Sequence, residues 1–569
     1  GGPDSIALYF VLECNRPFTS ADGWNEKGVM PCAEAIAGDQ AGMVLNFDLK
    51  ESGEVLFKIG MSYTSLENAV GNLKAELDGW DFDTVRGETQ AIWNEMLGRM
   101  AVEGGSEAQR IKFYTDLWHV LLGRHKISDV NGWYPDYTGG KYVDKRTSDP
   151  MRLRRVELDA NGAPKFNMYG FDGIWLTQWN LNILWGLAWP EIMDDFTACL
   201  VQYADNGGLL PRGACAGGYS FIMTGCPASS MLVSAYMKGI MKKTDPLHAY
   251  EIIKRNHLPG GMMSYENADD LKFYIRNGWC PGNAGKTLEW AFQDWGLSRM
   301  AARLGKKADA REFERRAHGW TPLFNAEQGL ILPKKQNGEW LHLDPLDGRG
   351  WVEANGWQGT WSVSHDLPKL VELMGGGDAF CDKLNYAFEQ ARELDFVYAY
   401  SGGYVSYANQ PGCSNAHLFT YGGKPWLTQY WVRQVKERAY GGITPDKGYG
   451  GHDEDQGQMG GVSALMGIGL FSVTGTESDV PYYDITSPIF DRVTIRLNPD
   501  YYPGGEFVIT THDNSADNCY IRRAELNGRP WDYAQFDHEQ FVRGGKLELW
   551  LGDRPAKEWG KLKYLNPKQ

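Results

Sequence analysis

Two aspartates one residue apart, Asp453 and Asp455, lie in the run His452-Asp453-Glu454-Asp455-Gln456-Gly457-Gln458-Met459-Gly460, just ahead of an apolar stretch of helical spacing that reaches Phe471. If the loop is extended there, the two side chains project to the same side and could hold a water, a cation, or both. The simpler task for acids in front of a helix is to cap it and match its dipole. The chain also carries 22 Trp and 29 Tyr, many in polar, Gly-rich surroundings, as at Trp351, Trp357, Trp361 and Trp426. Sugar sites set an aromatic face against the C–H face of a pyranose while amides and carboxylates read its hydroxyls, although most aromatics of any chain are core.

The elements that must position these residues are legible in outline. With 569 residues and 43 % hydrophobic content the chain folds, as two or three domains. A net charge of −15 without a basic stripe excludes nucleic acid and anionic membrane as main partners, and no apolar run approaches a membrane span. Nine cysteines without a C-x-x-C pair argue against zinc ribbons and thioredoxin-type redox chemistry.

Residues 1–64 read as β, with strands at Ile6–Leu12, Met43–Leu49 and Val55–Tyr63. So few strands make a poor sandwich, so further strands are expected from a preceding segment or a separate polypeptide. From Ser65 the spacing turns helical: Leu66, Ala69, Leu73 and Leu77; Ile111, Tyr114, Trp118 and Leu121; then Phe196–Tyr203, Ala228–Met241, Leu288–Leu304, Ala308–Leu323, Leu367–Leu373 and Trp426–Ala439. Paired helices with long loops predict an α/α toroid whose loops converge on one face, spanning 101–474 after a helical linker at 65–100. Residues 475–569 return to β, with strands at Val493–Leu497, Glu506–Thr511, Asn518–Ala524 and Lys546–Leu551 and a turn at Asn527-Gly528, which predicts a small sandwich.

The order of motifs resembles glycoside hydrolase family 92, the calcium-dependent exo-α-mannosidases. The resemblance rests on Phe113-Tyr114-Thr115 with Trp118-His119, Ser128-Asp129-Val130, Glu353-Ala354-Asn355-Gly356-Trp357-Gln358 with His365-Asp366, Tyr421-Gly422-Gly423-Lys424-Pro425-Trp426, Asp455-Gln456-Gly457-Gln458-Met459, Ser487-Pro488, and Tyr520-Ile521 with Leu526-Asn527-Gly528. It implies an N-terminal β-sandwich, of which this chain holds the last part, packed on an (α/α)6 barrel. It also implies an inverting mechanism, in which one carboxylate activates water and one carboxylic acid protonates the leaving group. Asp453 and Asp455 fit the base, and Glu353, flanked by Trp351 and Trp357, fits an acid kept protonated by apolar surroundings. Trp351, Trp357, Gln358, Asn409, Gln410 and Asp172 are the expected substrate-binding residues. Calcium is the implied cofactor, because a hard cation can chelate the axial 2-hydroxyl and equatorial 3-hydroxyl of mannose. The run Asp513-Asn514-Ser515-Ala516-Asp517-Asn518 lacks the Gly and distal Glu of a calcium loop and reads as a turn.

Three departures mark a divergent member. Members commonly have Asn-Glu-Pro-Ser-His-His where this chain has Asn409-Gln410-Pro411-Gly412-Cys413-Ser414. Trp175-Leu176-Thr177-Gln178-Trp179 lacks an acid and a base expected near the sugar, a loss that Asp172 could offset, and Met223-Thr224-Gly225-Cys226-Pro227 replaces a Met-Ile-Gly-Tyr-His stretch. An amide in place of a carboxylate at Gln410 lowers repulsion toward an anionic leaving group, so mannose-1-phospho-linked glycans are the sharper substrate expectation. An ordinary α-1,2-mannosidase of high-mannose glycans and a catalytically weak mannose-binding protein are the alternatives, and a secreted or cell-surface location is expected.

Overall fold

The structure, a computed structural model, describes residues 2–3, 5–49, 53–139, 142–143, 146–147, 151–171, 173–265 and 267–565. Its core is helical and forms around segments that are buried on every face. Leu181–Ala188 and Gln458–Ile468 are buried at every position, and Pro227–Met237 at all but one. Amphipathic helices with one polar face lie outside these, Pro246–Asn256 against Pro227–Met237 and Lys307–Ala317 against Ala284–Arg303. Helix starts follow local chemistry. Ser106 and Gln109 form a reciprocal capping box at Glu107–Leu122, Asn283 caps Ala284–Arg303, and Pro opens Pro190–Gly207 and Pro425–Arg438.

Several helices stop earlier than hydrophobic spacing predicts, where a backbone requirement overrides it. The run toward Met241 ends at Met237, followed by left-handed Gly239; the run toward Leu323 ends at Ala317; and the run toward Phe471 ends at Ile468, with left-handed Gly469 turning the chain into the strand Leu470–Phe471. Pro246–Asn256, Ala268–Asn277 and Gly377–Ala391 are helices that the spacing did not single out.

At the N-terminal end Tyr9–Cys14 pairs antiparallel with Phe57–Ser62, which is shorter than Ile6–Leu12 and Val55–Tyr63, while Met43–Leu49 is reduced to Gly42–Asn46. The Gly- and Asp-rich stretch between them holds two further strands, Ser20–Asn25 and Gly28–Met30, because left-handed Gly28 closes a hairpin there. One side of the Tyr9–Cys14 pair packs on the helix Leu66–Glu76. Gly60 comes so close that a Cβ there would stand 2.4 Å from the carbonyl oxygen of Ala69. The other side presents Phe10, Leu12, Phe57, Ile59 and Met61 to solvent.

The C-terminal β region contains two sheets. Six strands run in the order Arg529–Pro530, Tyr520–Leu526, Gly545–Gly552, Glu506–His512, Arg492–Arg496, Met100–Glu103, and the last of these arrives from the far end of the expected linker. Leu470–Phe471, Tyr482–Ile485 and Gln535–Asp537 form the other sheet, and Phe507 stacks on Phe536 between the two at a centroid distance of 5.3 Å. Asp513–Asn518 lies between strands, and Asn514 binds the carbonyl oxygens of Pro488 and Phe490.

Candidate active site

Three loops meet over the buried helices. The first carries Glu353 immediately before the short helix Gly356–Gly359, which Asn355 caps by accepting from the Gln358 amide. The Asn355 side chain also donates to the carbonyls of Ser401 and Gly403, so this loop is tied to a second one around Tyr400. The third carries Asp453, Glu454 and Asp455 into Gln458–Ile468. Left-handed non-glycine backbone occurs at Glu353, Ser401, Asp455 and Gln456 within these loops, and at Leu176 and Met223 nearby. Such conformations cost about 1–3 kcal/mol each and persist where the surroundings impose them, commonly at functional sites.

The consecutive residues Asn409 and Gln410 join the candidate acid to the candidate base. Asn409 Nδ2 donates to Glu353 Oε2 at 2.7 Å, and Gln410 Nε2 donates to Asp455 Oδ2 at 2.6 Å. Asp453 is held from the rim, where the half-exposed Tyr400 hydroxyl donates to its Oδ2 at 2.6 Å. Partial burial raises the Glu353 carboxyl above the ordinary glutamate range; the Asn409 bond opposes this, and the charges of Asp455 and Asp453 add to it. Burial also raises Asp455, against the Gln410 bond and with the charges of Asp453 and Glu454. The Arg124 charge acts the other way on Asp455.

The remaining expected residues fall in different places. Trp351 is buried beside an apolar cavity of about 30 Å³ that Trp175, Trp179 and Phe292 also line. Trp357 packs against Tyr386 and Tyr404 at 5.6 and 5.1 Å, with the Lys383 ammonium over its ring. Gln358, expected at the sugar, is buried, and its side-chain nitrogen donates to the Gly402 and Gly403 carbonyls, so it holds the Tyr400 loop in place. Gln410 is only 4 % exposed, with its nitrogen spent on Asp455. Asp172 lies outside the described residues.

Sequence reasoning missed two residues here. Tyr400 sits in a Gly-rich loop without periodicity, so no signal marked it. Glu289 did leave one, as a charge inside the apolar spacing of Leu288–Leu304. It is buried and accepts from Trp175 Nε1 at 3.0 Å, from Gln293 Nε2 at 3.0 Å and from the Thr224 hydroxyl, and burial raises its carboxyl.

A glutamate and an aspartate tied to the two residues of one dipeptide make an arrangement in which one group could give a proton and another take one, as glycoside cleavage needs. The comparisons agree with that class. Residues 68–553 match the glycosyl hydrolase family 92 catalytic domain, and the chain belongs to that family. The structure of a family GH92 inverting mannosidase from Bacteroides thetaiotaomicron superposes with a TM-score of 0.85 at 28 % identity, covering 100 % of this chain and 76 % of that one. A second structure, of an α-mannosidase from the same organism, shares the fold with a TM-score of 0.83 at 24 % identity, over 97 % of this chain and 70 % of that one. An uncharacterised secreted glycosidase of Arthroderma benhamiae is 25 % identical over 94 % of this chain, which spans 66 % of that relative's length. Among the described residues no helix is long and apolar enough to cross a membrane.

Proposed function

We propose that the chain is the catalytic part of an exo-acting, inverting, calcium-dependent glycoside hydrolase that releases terminal α-mannose outside the cell or at its surface. The observation that carries the reading is the Asn409-Gln410 dipeptide, whose consecutive side chains bind Glu353 and Asp455. In the reaction Asp455, with Asp453 beside it, takes a proton from the attacking water, and Glu353 gives its proton to the departing oxygen on the opposite face of the sugar. We read the buried and amphipathic helical layers as an (α/α)6 barrel, and the uncovered apolar face around Phe10 and Ile59 as the seat of further strands of an N-terminal sandwich. Asp455→Asn is expected to leave folding and sugar binding nearly intact while lowering kcat on an α-mannoside by several orders of magnitude, because an amide cannot accept the water's proton. Activity within about tenfold of wild type would remove Asp455 from the role of base.

The donor set suits calcium. The amide oxygens of Asn409, Gln410 and Gln458 are buried without a hydrogen-bond partner, on residues beside the three acids. Among the described residues no three His, Cys, Asp or Glu side chains are grouped to hold a metal, so an ion would draw on these amide oxygens and on substrate hydroxyls. Bound there, calcium would supply charge and a template for two sugar hydroxyls. Chelator treatment is expected to abolish turnover with little change in Tm, calcium to restore it, and magnesium to restore it poorly; full turnover after exhaustive chelation would contradict the role.

Neutral Gln410 favours a sharper substrate, a mannosyl phosphodiester. A phosphate leaves as a stable anion, so Glu353→Gln should damage hydrolysis of a mannobiose far more than that of the phosphodiester. Equal losses on both would return the reading to an ordinary α-mannosidase.

A further inference from the structure

Glu454, the middle acid of the run, turns away from the site that its neighbours form. Its Oε2 accepts from the Gly457 amide at 2.7 Å and its Oε1 from the Gly460 amide at 3.1 Å, and Nδ1 of His119 lies 3.2 Å from Oε2. Gly457 stands at the cap position of Gln458–Ile468 with no side chain to offer, and the Glu454 carboxylate meets the exposed N–H groups of that helix start in its place.

What Glu454 grips is rigid. Every residue of Gln458–Ile468 is buried, and Gly457 lies so close to Glu107–Leu122 that a Cβ there would stand 2.6 Å from the His119 carbonyl oxygen and from the Val120 Cα. One turn before His119, fully buried Asp116 accepts from the Tyr449 hydroxyl at 2.9 Å, from the Ser463 hydroxyl and from the Lys112 ammonium, with the Lys436 ammonium at 3.5 Å. Tyr449 and Ser463 flank the acidic run on its two sides, so this network clamps both ends of the loop to one helix. The clamp ends at Glu454, one peptide bond from each of the two aspartates. Beyond it Asp455 and Gln456 are left-handed, and each aspartate reaches a side chain across the site, Asp453 to Tyr400 and Asp455 to Gln410.

We infer that Glu454 is a positioning residue for the reaction: fixed by the Gly457 and Gly460 amides and by His119, it sets the peptide that aims Asp453 at Tyr400 and Asp455 at Gln410. The inference rests on the acid–base reading above, and its test separates the two. Kinetics of Glu454→Ala and Glu454→Gln on a mannoside that the wild type hydrolyses are combined with crystal structures of all three proteins. Glu454→Ala is expected to lose about 100-fold in kcat, the scale of a misplacement of roughly 1 Å, with KM within about threefold of wild type. Glu454→Gln should fall between the two, because its amide oxygen still accepts one of the two N–H groups. The crystal structure of Glu454→Ala should show Gln458–Ile468 in place and the Asp453–Tyr400 and Asp455–Gln410 contacts broken. Wild-type kcat in Glu454→Ala, a KM rise matching the kcat loss, or survival of both contacts in the crystal would overturn the inference. A wild type inactive on mannosides would sink the substrate reading alone, since the crystallographic comparison needs no turnover.

Discussion

In the proposed reaction Glu353 and Asp455 do opposite work with the same functional group. Burial raises both carboxyls and each accepts one hydrogen bond from a side-chain amide, Glu353 from Asn409 and Asp455 from Gln410; Asp455 alone also has the charge of Arg124 to lower it. With these proposed roles turnover needs Asp455 ionised and Glu353 protonated, so kcat/KM should follow a bell in pH, with Asp455 on the acid limb and Glu353 on the alkaline limb. Gln410→Glu tests the assignment. A carboxylate in place of the amide removes the bond that lowers the Asp455 pKa and adds a negative charge that raises it, so the acid limb should move to higher pH. The same change should weaken hydrolysis of an anionic phosphodiester more than that of a neutral mannobiose. An acid limb that stays in place or moves down would contradict the Gln410–Asp455 coupling. At this scale the sequence singled out the acids but not the partners of the amides. Carboxylates announce themselves by type and spacing, but nothing in a linear string shows that Gln358 faces the Gly402 carbonyl or that Gln410 faces Asp455, because those partners are 44 and 45 residues away.

Elements place these groups through a few close backbone approaches. Gly457 and Gly123 allow the acidic loop to lie against Glu107–Leu122, where a Cβ at Gly123 would stand 2.6 Å from the Gln456 carbonyl oxygen. Arg124 then binds that same carbonyl at 2.8 Å and the Gly173 carbonyl at 2.6 Å, which joins the acidic loop to the Trp175 loop. Gly457→Ala is therefore expected to lower Tm, since it forces both a left-handed alanine and a backbone clash, at a cost of more than about 2 kcal/mol. It should also cut kcat more than tenfold, by pushing the aspartates out of line. Near-wild-type kcat and Tm would show that the loop has slack. Helices were the most legible elements, but not always their buried face: Ala69 and Leu73 are buried as their spacing marks, whereas Ile111 and Trp118 are exposed and Glu107–Leu122 buries Phe113, Leu117 and Val120 instead. Their ends were less legible, because Gly239 and Gly469 stop helices inside apolar runs that would otherwise continue. The Tyr400 loop was invisible for the converse reason: it is ordered by Asn355 and Gln358 from elsewhere in the chain and has no pattern of its own.

The whole molecule separates a helical body, which carries the acids, from β regions at either end. The strand Met100–Glu103 stitches the start of the helical body to the C-terminal sheet, a pairing across nearly 400 residues that no local signal could disclose. At the other end the alternation in Tyr9–Cys14 and Phe57–Ser62 puts Phe10, Leu12, Ile59 and Met61 on an exposed face. The claim that ties these scales together is that two carboxyl groups on opposite sides of a sugar act in one displacement, with water entering as the leaving group departs. Proton NMR of an α-mannoside during the first minutes of hydrolysis reads this directly, through the anomeric signal of the released sugar. The account predicts that β-mannose appears first and that the α-anomer grows in only as mutarotation proceeds; α-mannose as the first product would contradict it.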